Sequence, residues 1–258
     1  MIGFLLKKNF FDAWDNFFKI ALLNIGFLAS VSVPVFLPMP FVSFPVLSMG
    51  ILFIGLLWCS VYLSAAAVTL RSISDYGSFG FADFFGNLKT SWPGGLVFGV
   101  FAFVLYTLCT VVIPFYLSIK SAIGLLLAAF IFWTVVIAVL ALQFFFAVRS
   151  RLEPKLFKAM KKCFIIFFDN TLFCVFALIH NLVLLAICLF PLFLFVPGPT
   201  GIMLFLDEGL RLRLMKYDWL EANPGADRRK IPWDAILIEE REKTGTRSFK
   251  NFIFPWKD

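Results

Sequence analysis

Long uncharged stretches divide the chain and predict where it crosses a membrane. Four stretches contain no Asp, Glu, Lys or Arg: residues 20–70, 90–119, 121–148 and 170–206. A helix needs about 20 predominantly apolar residues to cross a bilayer, so the first stretch is long enough for two helices. Four prolines between Pro34 and Pro45 lie near its centre, where missing backbone donors favour a turn. The pattern therefore predicts five spans.

The predicted fold class is all-α, a polytopic membrane helical bundle with short interfacial helices. We predict spanning helices at about residues 17–37, 46–70, 94–117, 121–148 and 165–190. A sixth, weakly apolar element is predicted at about 200–220, because only Gly201 to Leu206 are uncharged before Asp207. We expect it to enter only part of the bilayer. Residues 1–222 would then form the bundle, and residues 223–258 a cytoplasmic tail.

Composition supports a membrane protein. Hydrophobic residues make up 61% of the 258 residues, charged residues only 15%, and mean hydropathy is +0.91. Soluble domains carry about 25% charged residues and could not bury this much apolar surface. The same composition excludes a disordered chain and a disulfide scaffold.

The distribution of lysine and arginine predicts the orientation. If the sixth element returns across the membrane, 22 of the 23 basic residues lie on one side; otherwise they divide 11 and 12. Cytoplasmic loops carry the excess of Lys and Arg, so we predict that both termini are cytoplasmic. Topology therefore accounts for the net charge of +7, and we expect no nucleic-acid partner. The N-terminal segment shows no cleavage site, so we expect the first span to be retained.

Two segments between spans have the pattern of interfacial helices. The first carries apolar residues at helical spacing: Phe81, Phe84, Phe85, Leu88 and Trp92. It would lie in the headgroup plane or pack beneath the bundle. The second carries four lysines on one face: Lys155, Lys158, Lys161 and Lys162. These lysines would contact anionic lipid headgroups or serve simply as a basic topological anchor.

Two motifs resemble a known family. The segment Asn24-Ile-Gly-Phe-Leu-Ala-Ser-Val-Ser-Val-Pro34 and the segment Asp83-Phe-Phe-Gly-Asn-Leu-Lys89 resemble the first span and a later loop of the YesL-like family of small bacterial membrane proteins. Position 88 is Leu where that family more often has an aromatic residue, and the chain beyond Tyr217 lies outside the pattern. The resemblance implies a protein of the bacterial inner membrane, associated with carbohydrate importers of the ATP-binding-cassette type. It implies no catalytic residues.

One polar cluster is the candidate ion site. Arg211 follows Asp207 by four residues and Glu208 by three, so both acids can reach it along one helix face. The cluster would form an ion or proton site near the bilayer, or it would mark the membrane-to-cytosol boundary. His180 and Asn181 lie in the fifth span, where interhelical hydrogen bonding is the preferred interpretation over proton relay.

Other motifs predict packing rather than chemistry. The sequence has no HExxH, GxSxG or Walker-type motif, and its five cysteines lack CxxC spacing. We therefore predict no catalytic site, cofactor or metal. Gly95 and Gly99 form a GxxxG pair, which predicts close helix packing within the bundle or, alternatively, self-association.

The tail contains a group of aromatic residues beyond the last span: Trp233, Phe249, Phe252, Phe254 and Trp256. Exposed aromatic clusters mark interaction surfaces, so we predict that the tail docks on a partner or a membrane. The combined prediction is a non-enzymatic accessory or assembly subunit of a membrane transport system. The alternative is a small transporter or channel that uses the ion site at the sixth helix.

Overall fold

The fold is described for residues 1–228 and 230–247 of a computed structural model, and these residues contain helices, turns and loops but no β-strand. In chain order the α-helices are α1 (Ile2–Asp15), α2 (Phe17–Phe36), α3 (Pro45–Ser74), α4 (Phe81–Thr107), α5 (Ile113–Ser118), α6 (Ala122–Leu142), α7 (Phe145–Arg151), α8 (Leu156–Asp169), α9 (Thr171–Ile187), α10 (Pro191–Phe195), α11 (Gly198–Ala222), α12 (Trp233–Ile236) and α13 (Ile238–Thr244). A π-helical turn, Leu108–Val112, joins α4 to α5. The predicted all-α class is confirmed.

Four helical stretches in the described residues are long and apolar enough to cross a membrane: Phe17–Phe41, Pro45–Ser74, Phe81–Ser118 and Ala122–Arg151. They include the first four predicted spans. A fifth arises only if α8 and α9 are taken together, and these helices are bent by 102° about Asn170. The backbone of Asn170 is not helical, which separates the two axes. The helices are those of a polytopic membrane bundle with four or five candidate spans.

The segment 81–92 differs from its prediction as a separate interfacial helix. It is the first part of α4, which continues without a break through Pro93. The Asp83 carboxylate accepts a hydrogen bond from the Gly80 backbone N–H at 2.7 Å and stabilises the helix start. Two residues before Pro93, the carbonyl oxygen of Ser91 accepts a hydrogen bond from the Arg149 side chain at 2.9 Å, which holds α7 against this part of α4. The segment is therefore continuous with the third candidate span.

The GxxxG pair packs α4 against α3. A Cβ atom on Gly95 would lie 2.4 Å from the Cα atom of Val61, and one on Gly99 would lie 3.0 Å from the Cα atom of Leu57. Only glycine permits this approach of the two backbones. The interpretation of the motif as packing within the bundle is confirmed.

Helices α9 and α11 form a hairpin against the bundle. His180 of α9 stacks on Phe205 of α11 with 3.8 Å between ring centroids. The turn of the hairpin, at α10, lies beside Asn24, which donates a hydrogen bond to the Phe195 carbonyl. At a rise of 1.5 Å per residue, Asn24 lies about 10 Å from Phe17, the first residue of α2. The hairpin therefore extends along only part of that span. The predicted fifth and sixth elements are thus the two arms of one hairpin.

The N-terminal helix and the end of the described chain lie at the same end of the bundle. The Lys7 ammonium donates to the Gly245 carbonyl at 3.0 Å, and Arg247 forms an ion pair with Asp15 at 2.8 Å. Arg151, at the end of α7, lies at this end as well, because it pairs with residues of the α3–α4 loop and α11. This arrangement gathers charged side chains at one end.

Candidate functional site

Charged side chains from separate elements meet at this end of the bundle. The loop after α3 contributes Asp75, α7 contributes Arg151, α11 contributes Asp207 and Arg211, and α13 contributes Glu240. We call these five residues the charged network. The two α11 residues are one helical turn apart, so their side chains can reach neighbouring partners.

Arg151 and Asp207 form the most buried pair of the network. Arg151 Nε lies 2.8 Å from Asp207 Oδ1, and Arg151 Nη2 lies 2.5 Å from Asp207 Oδ2, which is the bidentate geometry of a strong ion pair. The guanidinium also donates to Asp75 Oδ1 and to Ser74 Oγ, each at 2.9 Å. The side chains of Arg151 and Asp207 are 8% and 2% exposed. Removing either partner would leave a buried charge without compensation.

Arg211 joins the bundle to α13. Its Nη2 lies 2.7 Å from Glu240 Oε1, and its Nη1 donates to the Ser74 carbonyl. The Tyr76 hydroxyl donates to the other Glu240 oxygen at 2.8 Å. Burial raises the pKa of the Tyr76 hydroxyl, and the adjacent Glu240 carboxylate raises this pKa further. Tyr76 therefore remains a neutral donor at physiological pH, and α13 is held in place.

Glu208 lies in a second, separate cluster. It is fully buried and faces Lys8, Asn9 and Asp12 of α1, while its neighbour Asp207 faces α7. Lys8 Nζ pairs with Asp12 Oδ2 at 2.5 Å. Neither oxygen of Glu208 has a partner at hydrogen-bonding geometry among the described residues. An unpartnered buried carboxyl is a group that could accept a proton or a cation.

The three residues of the candidate ion site are close in the chain but pair in different directions. Arg211 reaches Glu240, Asp207 reaches Arg151, and Glu208 faces α1. The expected pairing along one helix face is replaced because other elements supply partners with better geometry. Asp207 and Arg211 are therefore engaged in holding helices together.

Several residues of this region were not identified from the sequence. Asp75 and Arg151 are among the first charged residues after uncharged stretches, which is the signal that could have marked them as neighbours at one membrane boundary. Glu240 and Lys8 carry no comparable signal, because each lies in a segment with several charges.

Asn24 organises the break between α10 and α11. Its Nδ2 donates to the carbonyl oxygens of Phe195 at 2.8 Å and Pro197 at 3.0 Å, while its Oδ1 accepts from the backbone and hydroxyl of Thr200 at 2.9 and 2.8 Å. A Cβ atom on Gly198 would lie 2.3 Å from Asn24 Nδ2, and the positive φ of Gly198 also favours glycine. Asn24 satisfies backbone groups that an interrupted helix leaves unpaired within a bilayer. Its position as the sole Asn or Gln in residues 20–70 could have identified it.

The predicted aromatic contacts divide between the core and the surface. Phe84 is buried against Tyr62, with 5.1 Å between ring centroids, whereas Phe81, Phe85 and Trp92 are exposed. The stripe is therefore not one uniform face.

The tail begins by packing on the bundle. Trp233 is partly buried against the core, and its ring lies 5.7 Å from the Arg213 guanidinium. The other predicted tail contacts lie outside the described residues: Phe249, Phe252, Phe254 and Trp256.

Three of the four predicted lipid-contacting lysines are exposed: Lys155, Lys158 and Lys161. Lys162 is half-buried and lies 3.4 Å from Glu153. Phe157 is exposed beside the lysines, so this surface of α8 combines basic and aromatic side chains. Contact with lipid headgroups stays a prediction.

The described residues contain no group of three or more His, Cys, Asp and Glu side chains suited to hold a metal ion. His180 Nδ1 lies 3.5 Å from Asn181 Oδ1 on the same helix, so this contact is not the expected bond between helices. Comparison with known protein families, curated proteins and solved structures finds no match to this chain. The resemblance to the YesL-like family therefore stays a prediction.

Proposed function

We propose that this integral membrane protein is a non-enzymatic accessory or assembly subunit of a membrane transport system. It would lie in the bacterial inner membrane with both termini in the cytoplasm. The resemblance noted in the sequence makes a carbohydrate importer of the ATP-binding-cassette type the first system to examine. The proposal rests chiefly on the surface of α6.

Apolar side chains are exposed over one continuous face of α6 that is about 180° wide, since successive residues turn by about 100° around a helix. The exposed set is Ile123, Leu125, Leu126, Phe130, Phe132 and Trp133. A face this wide can be covered by lipid along one part and by a partner helix along another. Aromatic residues are enriched in protein interfaces, which favours the part of the face that carries Phe130 and Trp133 as the partner's position.

The charged network supports a structural role over a transport pathway. Arg151, Asp207, Arg211 and Glu240 use their charges to join α3, α7, α11 and α13. A residue that translocates an ion must release its partners during each cycle, and buried pairs resist that release.

Photocrosslinking in native membranes tests this proposal. A photoreactive phenylalanine analogue replaces Phe130 in one variant and Phe18, an exposed residue of α2, in a control variant. We expect the α6 probe to crosslink a defined transport subunit and the α2 probe to crosslink lipid. Lipid adducts alone from both positions would contradict the proposal.

Deletion of residues 246–258 tests the part assigned to the tail. All predicted spans lie upstream, so insertion should be preserved, while a partner bound through the tail aromatics should no longer co-purify. An unchanged set of crosslinked partners would show that the tail serves the bundle or the lipid surface.

A small transporter or channel is the second candidate function, and the unpartnered carboxyl of Glu208 favours it. In this candidate Asp207, Glu208 and Arg211 form the ion site. Reconstituted protein should then conduct ions, Glu208→Gln should abolish the flux, and Glu239→Gln, at an exposed position, should leave the flux unchanged. Flux no greater than that of empty vesicles across a panel of ions would reject this candidate.

A further inference from the structure

A small polar cavity of about 130 Å³ lies between α3, α4 and α7. Most of its lining residues carry a hydroxyl or a guanidinium group: Ser64, Thr90, Ser91, Arg149 and Ser150. No described residue of the lining is acidic. The volume is several times the roughly 30 Å³ that one water molecule occupies in the liquid, yet smaller than the sites of drug-sized ligands, which begin at about 300 Å³. The cavity therefore has room for one small polar group.

The guanidinium of Arg149 is held in place against α4. Its Nη1 donates a hydrogen bond to the Ser91 carbonyl at 2.9 Å and lies 3.4 Å from the Ser64 hydroxyl oxygen. The same nitrogen lies against Gly94, where an added Cβ atom would overlap the guanidinium. Glycine at position 94 thus provides the space that the arginine occupies, and the cationic group is preorganised beside the cavity.

Arg149 has no anionic partner among the described residues. Arg151, two positions further along α7, instead pairs with both Asp75 and Asp207. The Nη2 of Arg149 has open surface and forms no hydrogen bond with the described part of the chain. A largely desolvated cation without a counterion is costly in a membrane protein, so an anion in the adjacent cavity would stabilise this arrangement.

The level of the cavity in the membrane favours phosphate as this anion. Trp92, which follows Ser91 on α4, is 49% exposed, and tryptophan is enriched where a membrane meets water. Phospholipid phosphate groups lie in this same layer. Guanidinium is the side-chain group best matched to phosphate, because its planar donors point at neighbouring oxygens. Arg71, which donates to the Ser150 carbonyl, adds a second positive charge next to the lining.

We propose that this cavity binds a phosphate group, with Arg149 Nη2 as the charged donor. The group is the phosphodiester of a phospholipid or free inorganic phosphate, which present the same oxygens to the guanidinium. The site is independent of the accessory role, because it needs only α3, α4 and α7.

Two binding measurements on the delipidated full-length protein in neutral detergent distinguish the sources. Native mass spectrometry compares phosphatidylglycerol with diacylglycerol of the same acyl chains, and equilibrium dialysis measures radiolabelled inorganic phosphate. A charged hydrogen bond predicts about tenfold or more preference for the lipid that carries the phosphate. This preference identifies a lipid source, and saturable binding of inorganic phosphate identifies the free anion. Equal retention of the two lipids without saturable phosphate binding would overturn the proposal.

Matched substitutions test the position of the site. Arg149→Gln removes the guanidinium, whereas Lys89→Gln removes one positive charge at an exposed position that does not line the cavity. We expect a loss of about tenfold or more in the affinity for phosphate or phosphatidylglycerol in the first variant, and a change below about twofold in the second. Equal losses in the two variants would show a general attraction of anions to positive charge and would overturn the site.

Gly94→Ala tests the geometry while the charge is retained. The added methyl group displaces only the end of a flexible side chain, so the fold should be preserved while the guanidinium leaves its position. We expect binding to weaken about threefold or more, as the loss of one hydrogen bond predicts. This variant also keeps the proposal testable if Arg149→Gln does not fold. Undiminished binding in either folded variant would overturn the proposal.

Discussion

Replacing Asp207 with Asn should destabilise the bundle severely, because Arg151 would lose its bidentate partner inside the protein. The two side chains are 8% and 2% exposed, so water cannot replace the lost carboxylate. Removal of one partner from a buried ion pair typically costs about 3–5 kcal/mol. The Asp75 carboxylate, 2.9 Å from the guanidinium, should offset part of this loss and place the effect near the lower value.

Unfolding of the detergent-solubilised protein in increasing fractions of denaturing detergent measures the change in free energy. The matched control is Glu153→Gln, which breaks the pair between Lys162 and Glu153. Their charged atoms are 3.4 Å apart, and the Lys162 side chain is partly exposed. A pair of this kind is worth about 0–1 kcal/mol, so the control should remain near the wild-type stability.

A double-mutant cycle separates the ion pair from other effects of the substitutions. Arg151→Gln alone should also cost about 3 kcal/mol or more, because it leaves Asp207 buried without a cation. The double variant should be at least as stable as the less stable of the two single variants, because the second substitution removes a charge that has already lost its partner. Strictly additive losses, or a loss below about 1 kcal/mol for Asp207→Asn, would refute the reasoning from burial.

Three further predictions concern the membrane hairpin, the helix packing and the topology. Asn24→Leu should cost about 3 kcal/mol or more in the same unfolding assay, because it removes several buried hydrogen bonds at once, and wild-type stability would contradict this role. Gly95→Ala should destabilise the packing of α3 and α4, whereas Gly86→Ala, which has open space around it, should be neutral or slightly stabilising in that assay. Single cysteines at Asn223 and Ser43, in a cysteine-free background, should be labelled from opposite sides of the membrane, and labelling of both from one side would exclude the predicted topology.

The positions of the spans were predictable because the cost of placing charge in a bilayer acts on each segment separately. The uncharged stretches at 20–70, 90–119 and 121–148 contain most of α2, α3, α6 and the apolar part of α4. Pro45 is the first residue of α3. Its fixed φ and its missing backbone N–H donor are well suited to the first turn of a helix. These preferences are local, so a single sequence displays them.

The sequence was less informative where a local preference competed with a neighbour. Pro93 favours a helix boundary, yet α4 continues through it and packs closely on α3 at Gly95 and Gly99. The stretch at 170–206 predicts a fifth span, but the hairpin turns beside Asn24, whose side chain stabilises the break. The outcome depended on contacts that form only when distant helices meet.

The composition and charge pattern thus determined by themselves that the chain is an all-α membrane bundle, with its charged residues at the ends of apolar helices. Only the tertiary structure decided which charges pair. Asp207 and Arg211 are one helical turn apart, but their partners are Arg151, 56 positions away, and Glu240, 29 positions away. Hydropathy records the transfer free energy of each segment, whereas ion pairing depends on distances of a few ångströms between groups that folding brings together.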